Sequence, residues 1–208
     1  MRNFRRFLPL CVVLLAACNT TKGIGYRNPD VPDYQLSKTA VYVDNRGEVA
    51  VELEKRLVDA LRKRKVTAFS TSTLARFAKD KYEFKAKVLD LGVNEVLIVV
   101  LRDSRGADVI GYQSWGSGTV SSYGSTASVS TQTSTVPTIR PYRDMLTLLS
   151  LYSRDDKKVW EGQTQRSAGG LLFIGDDLTI SETVRATIEA LEADGLIRRE
   201  GQAGASLR

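Results

Sequence analysis

Histidine is absent from the 208-residue sequence, and its two cysteines, Cys11 and Cys18, lie close to the N-terminus. Residues 19–208 therefore contain neither the Ser-His-Asp nor the Cys-His arrangement that activates a nucleophile. Zinc sites built from histidine and cysteine are excluded for the same reason. Composition leaves a carboxylate mechanism or a Ser-Lys pair open, but no residue spacing points to either. We therefore predict no catalytic, metal or cofactor site.

The N-terminal apolar run is too short to form a membrane-spanning helix. It covers residues 7–15, whereas a spanning helix needs about 20 apolar residues. Three arginines within the first six residues precede it. A short apolar run behind positive charges is typical of a secretory signal, so we predict that residues 1–17 are a signal peptide.

The end of this run, Leu15-Ala16-Ala17-Cys18, resembles the bacterial lipobox. The resemblance implies that cleavage falls between Ala17 and Cys18, that the Cys18 sulfur carries a diacylglycerol, and that the new amine is acylated. Several acyl chains give near-permanent anchoring. The alternative is an ordinary secreted protein cut after Ala17. An Asp directly after the cysteine would resemble the inner-membrane retention signal of enteric bacteria. This position holds Asn19 instead, which favours the periplasmic face of the outer membrane.

A strong positive charge is also missing from the predicted mature chain. Loss of the signal leaves 27 basic and 24 acidic residues, so the net charge falls from +6 to about +3. Basic stripes with interleaved aromatic residues do not occur, and we predict no nucleic-acid partner. The remaining length suits one domain with its own core.

The predicted mature chain divides into three regions. Residues 18–37 are turn-rich, with Gly23, Gly25, Pro29 and Pro32, which predicts a lipidated N-terminus followed by a flexible tether. Residues 38–197 form the predicted domain, and residues 198–208 a mobile tail.

Hydrophobic periodicity within the domain predicts alternating strands and helices. Strands are predicted at 39–44, 66–70, 95–101 and in a hairpin at 145–165, and helices at 48–65, 73–91 (in two pieces) and 179–196. The continuous apolar run at 95–101 is typical of a central strand buried on both faces. This order predicts an α/β fold with a single mixed sheet of about five strands and helices packed on it. The expected core comprises Val41, Val43, Leu57, Leu61, Val96, Ile98, Val100, Leu148, Trp160, Ile188 and Leu191.

This layout resembles a group of envelope lipoproteins whose α/β domain is similar to the N-terminal domain of the translocation protein TolB. The group includes the curli secretion lipoprotein CsgG and an outer-membrane activator of penicillin-binding proteins. The likeness is carried by Val41-Tyr-Val43, the helix from Val51 to Leu61, Gly92-Val-Asn-Glu-Val-Leu-Ile-Val99, Leu146 to Leu151, and Asp155-Asp-Lys-Lys-Val-Trp-Glu-Gly162. It implies a TolB N-terminal-like fold and a non-enzymatic role in binding other envelope proteins. Some members form rings that span the outer membrane through inserted hairpins. No motif carries a functional residue over to this chain.

Residues 112–138 form a Ser/Thr-rich insertion, in which 14 of 27 residues are Ser or Thr. Three interpretations are open: a flexible surface loop, an ordered soluble hairpin, or a membrane hairpin in an oligomer. Tyr112, Trp115 and Tyr123 are its candidate interaction surface, because exposed aromatic side chains often anchor interfaces. Alternatively, they pack the insertion onto its own domain.

We therefore expect a membrane-anchored lipoprotein that acts as a non-enzymatic binding or assembly module in the bacterial envelope. Its expected partners are the membrane, through the lipid, and another envelope protein, with homo-oligomerisation left open. One alternative is a structural subunit of an oligomeric outer-membrane complex or secretion pore. A second is a carboxylate-dependent hydrolase.

Overall fold

The computed structural model of the protein describes residues 19–45, 47–123, 126–169 and 174–199. These ranges contain six strands and four helices. The strands are β1 (Asn19–Arg27), β2 (Lys38–Val43), β3 (Thr67–Ser70), β4 (Glu95–Tyr123), β5 (Thr126–Ser153) and β6 (Lys158–Gly169); the helices are α1 (Glu48–Lys63), α2 (Ser72–Phe77), α3 (Lys81–Asp90) and α4 (Asp176–Ala193). None of the helices in the described ranges is long and apolar enough to cross a membrane. The predicted signal peptide, Cys18 and all but two residues of the predicted tail lie outside these ranges.

The six strands form one mixed sheet in the order β1-β6-β5-β4-β2-β3. Strands β4, β2 and β3 run parallel to one another, and the pairs β1–β6, β6–β5 and β5–β4 are antiparallel. The predicted α/β class and the single mixed sheet are confirmed. The predicted count of about five strands is close to the six in the described ranges, and β1 is the strand that was not foreseen.

Strand β1 lies in the segment that the sequence predicts to be a flexible tether. It pairs with β6 along its whole length, from Asn19 opposite Ala168 to Arg27 opposite Trp160. A Cβ atom at Gly25 would lie 2.6 Å from the indole nitrogen of Trp160, so glycine is needed for this close approach. The prediction of a flexible tether is therefore wrong for residues 19–27. Gly25, which suggested flexibility, instead allows β1 to pack closely against Trp160.

Helices α1 and α4 cover one face of the sheet and build the main core there. Leu53, Leu57 and Leu61 recur at helical spacing on α1 and are at most 1% exposed. They belong to one cluster with Leu97 of β4 and Leu191 of α4. The predicted amphipathic helices are confirmed, including the split of residues 73–91 into α2 and α3.

Among the described residues, the other face of the sheet is covered only in part, by the short helix α3 and by Leu74 of α2. Side chains alternate along a strand, so Leu97 and Val99 are buried beneath α1 and α4, whereas Ile98 points to the partly covered face. Burial on both faces was therefore the wrong prediction for this strand. Val41, Val43, Leu57, Leu61, Trp160, Ile188 and Leu191 are buried as predicted, and Val96, Ile98, Val100 and Leu148 are only half-buried.

The two faces of β4 should differ in their sensitivity to truncation. Leu97→Ala removes side-chain atoms from a fully buried site and should lower the free energy of unfolding by about 2–5 kcal/mol. Ile98→Ala should cost about half as much, since its side chain keeps part of its water contact. Urea denaturation of both variants measures the difference. Equal losses at the two positions would contradict the assignment of the faces.

Candidate functional site, a two-stranded ribbon

Strands β4 and β5 extend far beyond the rest of the sheet. Pairing of β2 with β4 ends at Val99, and pairing of β6 with β5 ends at Tyr142. Further out, the only pairing among the described residues is that of β4 with β5, as far as Tyr123 opposite Thr126. We call residues 106–123 and 126–142 the ribbon. At about 3.3 Å per residue, its β4 strand is about 60 Å long.

The Ser/Thr-rich insertion lies entirely within the ribbon. Apart from residues 124 and 125, which are not described, it is continuous strand. The flexible-loop interpretation is therefore wrong, and the two hairpin interpretations remain. Threonine is β-branched and favours strands, a property that the polar composition of the segment concealed.

A β-bulge divides the β4 strand of the ribbon. Val109 lies opposite Ile139, but Gly111 lies opposite Thr138, so Ile110 is the extra residue. Before the bulge, even-numbered β4 residues share a face with even-numbered β5 residues. From Gly111 onwards, odd-numbered β4 residues share that face instead.

The two faces of the ribbon differ in charge. Its only two charged residues, Asp108 and Arg140, lie opposite each other and so share one face, which we call the polar face. The opposite face, which we call the uncharged face, carries Val109, Tyr112, Val129 and Ile139, whose side chains are between 54% and 70% exposed. Large apolar side chains exposed together are typical of an interaction surface.

The candidate interaction residues lie on the ribbon, but not together. Tyr112 is opposite Pro137 and belongs to the uncharged face, whereas Trp115 is opposite Ser134 on the polar face. Both side chains are more than half exposed, so they do not pack the insertion onto its own domain. Tyr123 ends β4 at the tip of the ribbon, and its side chain is not among those described. Ala17 and Cys18, the predicted cleavage and lipidation site, precede the first described residue.

Both outer edges of the ribbon lack a strand partner within the described residues. Pro137 and Pro141 lie in β5 near the base, and proline is tolerated only where a strand's N–H faces no partner. N–H groups alternate in direction along a strand, so odd-numbered β5 residues in the ribbon direct theirs towards the open edge. Residues 126–136 of this edge contain neither proline nor charge, and such an edge is a ready template for another strand.

A cluster of charged residues fixes the base of the ribbon. Arg143 of β5 has a fully buried side chain, whose Nη2 and Nη1 atoms donate to Asp103 Oδ2 and Asp176 Oδ1, each at 2.7 Å. Burial alone would lower the pKa of Arg143, but its hydrogen bonds to Asp103 and Asp176 raise it overall. Because Asp176 is the first residue of α4, the cluster fastens the ribbon to that helix. An arginine at a core-facing strand position was the sequence signal for this arrangement.

Two buried glutamates hold neighbouring segments together. Glu54 accepts the N–H groups of Thr71 and Ser72 at 2.7 and 2.8 Å, and Glu95 accepts that of Lys38 at 2.9 Å. These carboxylates are therefore already satisfied by backbone donors, as a buried charge requires.

Three carboxyl groups among the described residues have lowered pKa values, which does not suit a general acid. A hydrogen bond from Arg56 lowers the pKa of Glu52, and one from the Lys79 N–H lowers that of Glu83. Burial alone would raise the pKa of Asp103, but its hydrogen bonds from Arg143 lower it overall. A carboxyl group that donates a proton near neutral pH needs a raised pKa instead. In the described part of the chain, no three potential metal ligands lie close enough together to hold an ion.

Comparisons with known proteins reveal only distant structural likenesses. No known family and no curated protein matches the sequence. Two structures of the PelC dodecamer from Paraburkholderia phytofirmans are 12% identical with TM-scores of 0.44, and cover 83% and 88% of this chain and 96% and 99% of their own. A PDZ domain protein from Parabacteroides distasonis is 8% identical with a TM-score of 0.37, over 89% of this chain and 39% of its own. These likenesses assign the chain to no family and to no function.

Proposed function

We propose that the protein is a membrane-anchored, non-enzymatic assembly module of the bacterial envelope that joins its neighbours through the ribbon. The observation that carries this proposal is the pair of open edges on the ribbon. A two-stranded hairpin is at best marginally stable in water, and a further strand on either edge would stabilise it. Other copies of the chain offer the same edges, and a closed ring of copies would leave none open.

The start of β1 supports an anchor next to the ribbon. Asn19 follows Cys18 directly and lies opposite Ala168, which in turn lies opposite Arg143 of β5. With Arg105 of β4, these residues form one row across four strands, about 14 Å wide at about 4.8 Å per strand. The ribbon leaves the sheet at this row. A lipid on Cys18 would therefore place the base of the ribbon at the membrane surface, on the periplasmic side of the outer membrane in our proposal.

A structural subunit of an outer-membrane complex or secretion pore is the second candidate, and the uncharged face favours it. The odd-numbered residues from 127 to 141 of β5 lie on this face and carry no charge, and this stretch is longer than the roughly 9–11 residues that a membrane-crossing strand needs. However, Thr131, Thr133 and Thr135 occupy its middle, and hydroxyl groups are costly among acyl chains unless they are hydrogen-bonded. These threonines favour protein neighbours along the face, so we rank assembly above membrane insertion.

The hydrolase alternative has the least support. Glu54 and Glu95 already accept backbone N–H groups, and the pKa values of Glu52, Glu83 and Asp103 are lowered.

For the domain itself, we retain the proposed similarity to the TolB N-terminal domain. The order of elements from β2 to α4 supports it.

Proline at position 133 tests pairing at the open edge. Thr133 shares its strand orientation with Pro137 and Pro141, so Thr133→Pro removes an outward N–H and leaves the ladder with β4 intact. We expect the melting temperature of the detergent-extracted full chain to stay nearly unchanged. Sedimentation should show a shift from oligomer to monomer, because the proline ring blocks a neighbouring strand.

Thr133→Val is the matched control, since it removes the hydroxyl group and keeps the N–H. It should sediment like the unaltered protein. Gln132→Pro, in contrast, should disturb the ladder and lower the melting temperature. The proposed edge pairing is contradicted if the Thr133→Pro oligomer matches the unaltered one in size, or if the unaltered chain is itself monomeric.

A further inference from the structure

A cavity of about 360 Å³ lies between α3 and the partly covered face of the sheet. Its walls are mainly apolar and include Phe84 and Val88 of α3, Ile98 of β4 and Tyr152 of β5. Glu95, the first residue of β4, also lines it, so the cavity lies at the end of the sheet opposite the ribbon and Asn19. The cavity is therefore a separate site from the ribbon, and none of its described lining residues belongs to the ribbon.

An ion pair crosses the mouth of this cavity. Lys85 of α3 contacts Asp156 in the turn between β5 and β6, and their side chains are 51% and 70% exposed. An exposed ion pair of this kind contributes little to stability, so it opens readily. Arg154 also lines the cavity, and among the described residues its side chain has no hydrogen-bond or ion-pair partner. Of the four charged side chains that line the cavity, Lys85 and Asp156 pair with each other and Glu95 accepts backbone N–H groups. Among the described residues, Arg154 is therefore the one left to bind a ligand.

We propose that the cavity binds a single-chain anionic amphiphile, a carboxylate whose apolar tail fills the cavity. The volume falls within the range of small-molecule sites, about 300–1,000 Å³, which combine apolar walls with few polar groups. The arginine fork matches a carboxylate geometrically and forms charge-assisted hydrogen bonds to it. Arg154 therefore binds the head of the ligand, and the tail lies against Phe84, Val88 and Ile98.

Photo-crosslinking of the full chain in lipid nanodiscs tests this site. The probe is dodecanoic acid with a diazirine near the end of its chain, and the corresponding alcohol is the uncharged comparison. We expect adducts of the acid on peptides from α3 and the start of β4, and competition by unlabelled dodecanoate. Arg154→Gln should weaken labelling by the acid about tenfold and leave labelling by the alcohol unchanged.

A second variant tests the cavity itself. Ile98→Trp fills the space from a half-buried position, and it should reduce labelling by both probes about tenfold. Ile24→Trp, on an exposed part of the sheet outside the cavity, is the matched control and should label normally. Melting curves check that each variant folds. Equal acid labelling of the unaltered chain, Arg154→Gln and Ile98→Trp would overturn the proposal, as would adducts confined to the ribbon.

Discussion

Excision of the ribbon should abolish assembly and leave the domain folded. Replacing residues 109–139 by Asn-Gly joins Asp108 to Arg140, which already face each other in the ladder as a hydrogen-bonded pair. Asn-Gly supplies the two-residue turn that suits such a pair. Among the removed residues whose side chains are described, none is buried, so the core keeps all its contacts. The free energy of unfolding should therefore change by less than about 1 kcal/mol.

Sedimentation and electron microscopy of detergent extracts measure this loss. The full chain should give an oligomer of defined size, and a ring would favour the outer-membrane complex. The shortened chain should be monomeric. A control with the same turn replaces only residues 120–129, joining the hydrogen-bonded pair Thr119 and Ser130, and should weaken assembly less. Assembly of the shortened chain at full size would move the interface elsewhere. Its unfolding would show that the domain depends on the ribbon.

Cys18→Ala should remove the protein from the membrane fraction or leave the signal uncleaved. Each buried methylene group of a lipid contributes about 0.8 kcal/mol to membrane binding, so loss of all the acyl chains is decisive. Cell fractionation measures the location, and labelling with a fatty-acid analogue measures the modification. Cys11→Ala is the matched control, because Cys11 lies within the predicted signal peptide, and it should be labelled normally. Equal label on Cys18→Ala and on the unaltered protein would refute the anchor.

The sequence predicted those elements whose signals are local. Helix α1 displays its buried stripe at regular spacing, and Gly92 follows α3 with the positive φ expected at a helix end. Strand β1 was missed because its partner, β6, is more than a hundred residues away, and its glycines look like turn residues. The run at 95–101 conceals its alternation, because apolar side chains occupy both faces.

The site was less predictable than the fold because it depends on register. Tyr112 and Trp115 were correctly placed in one segment, but only the bulge at Ile110 determines which faces they occupy. The cluster around Arg143 joins β4, β5 and the start of α4, and pairwise contacts of this kind leave no periodic pattern. Arg143 alternates with Met145 and Thr147 along β5, and this alternation was the available signal for a buried arginine.

The pairing of β1 with β6 also sets the order in which the chain can fold. Asn19 pairs with Ala168, which lies far along the chain, whereas Tyr123 pairs with Thr126, which is almost adjacent in sequence. Hairpins form in about 1–10 μs, and distant strands pair far more slowly. The ribbon should therefore exist, with both edges open, while β6 still lacks its outer neighbour. During that interval the partly folded chain is most susceptible to pairing with a wrong strand.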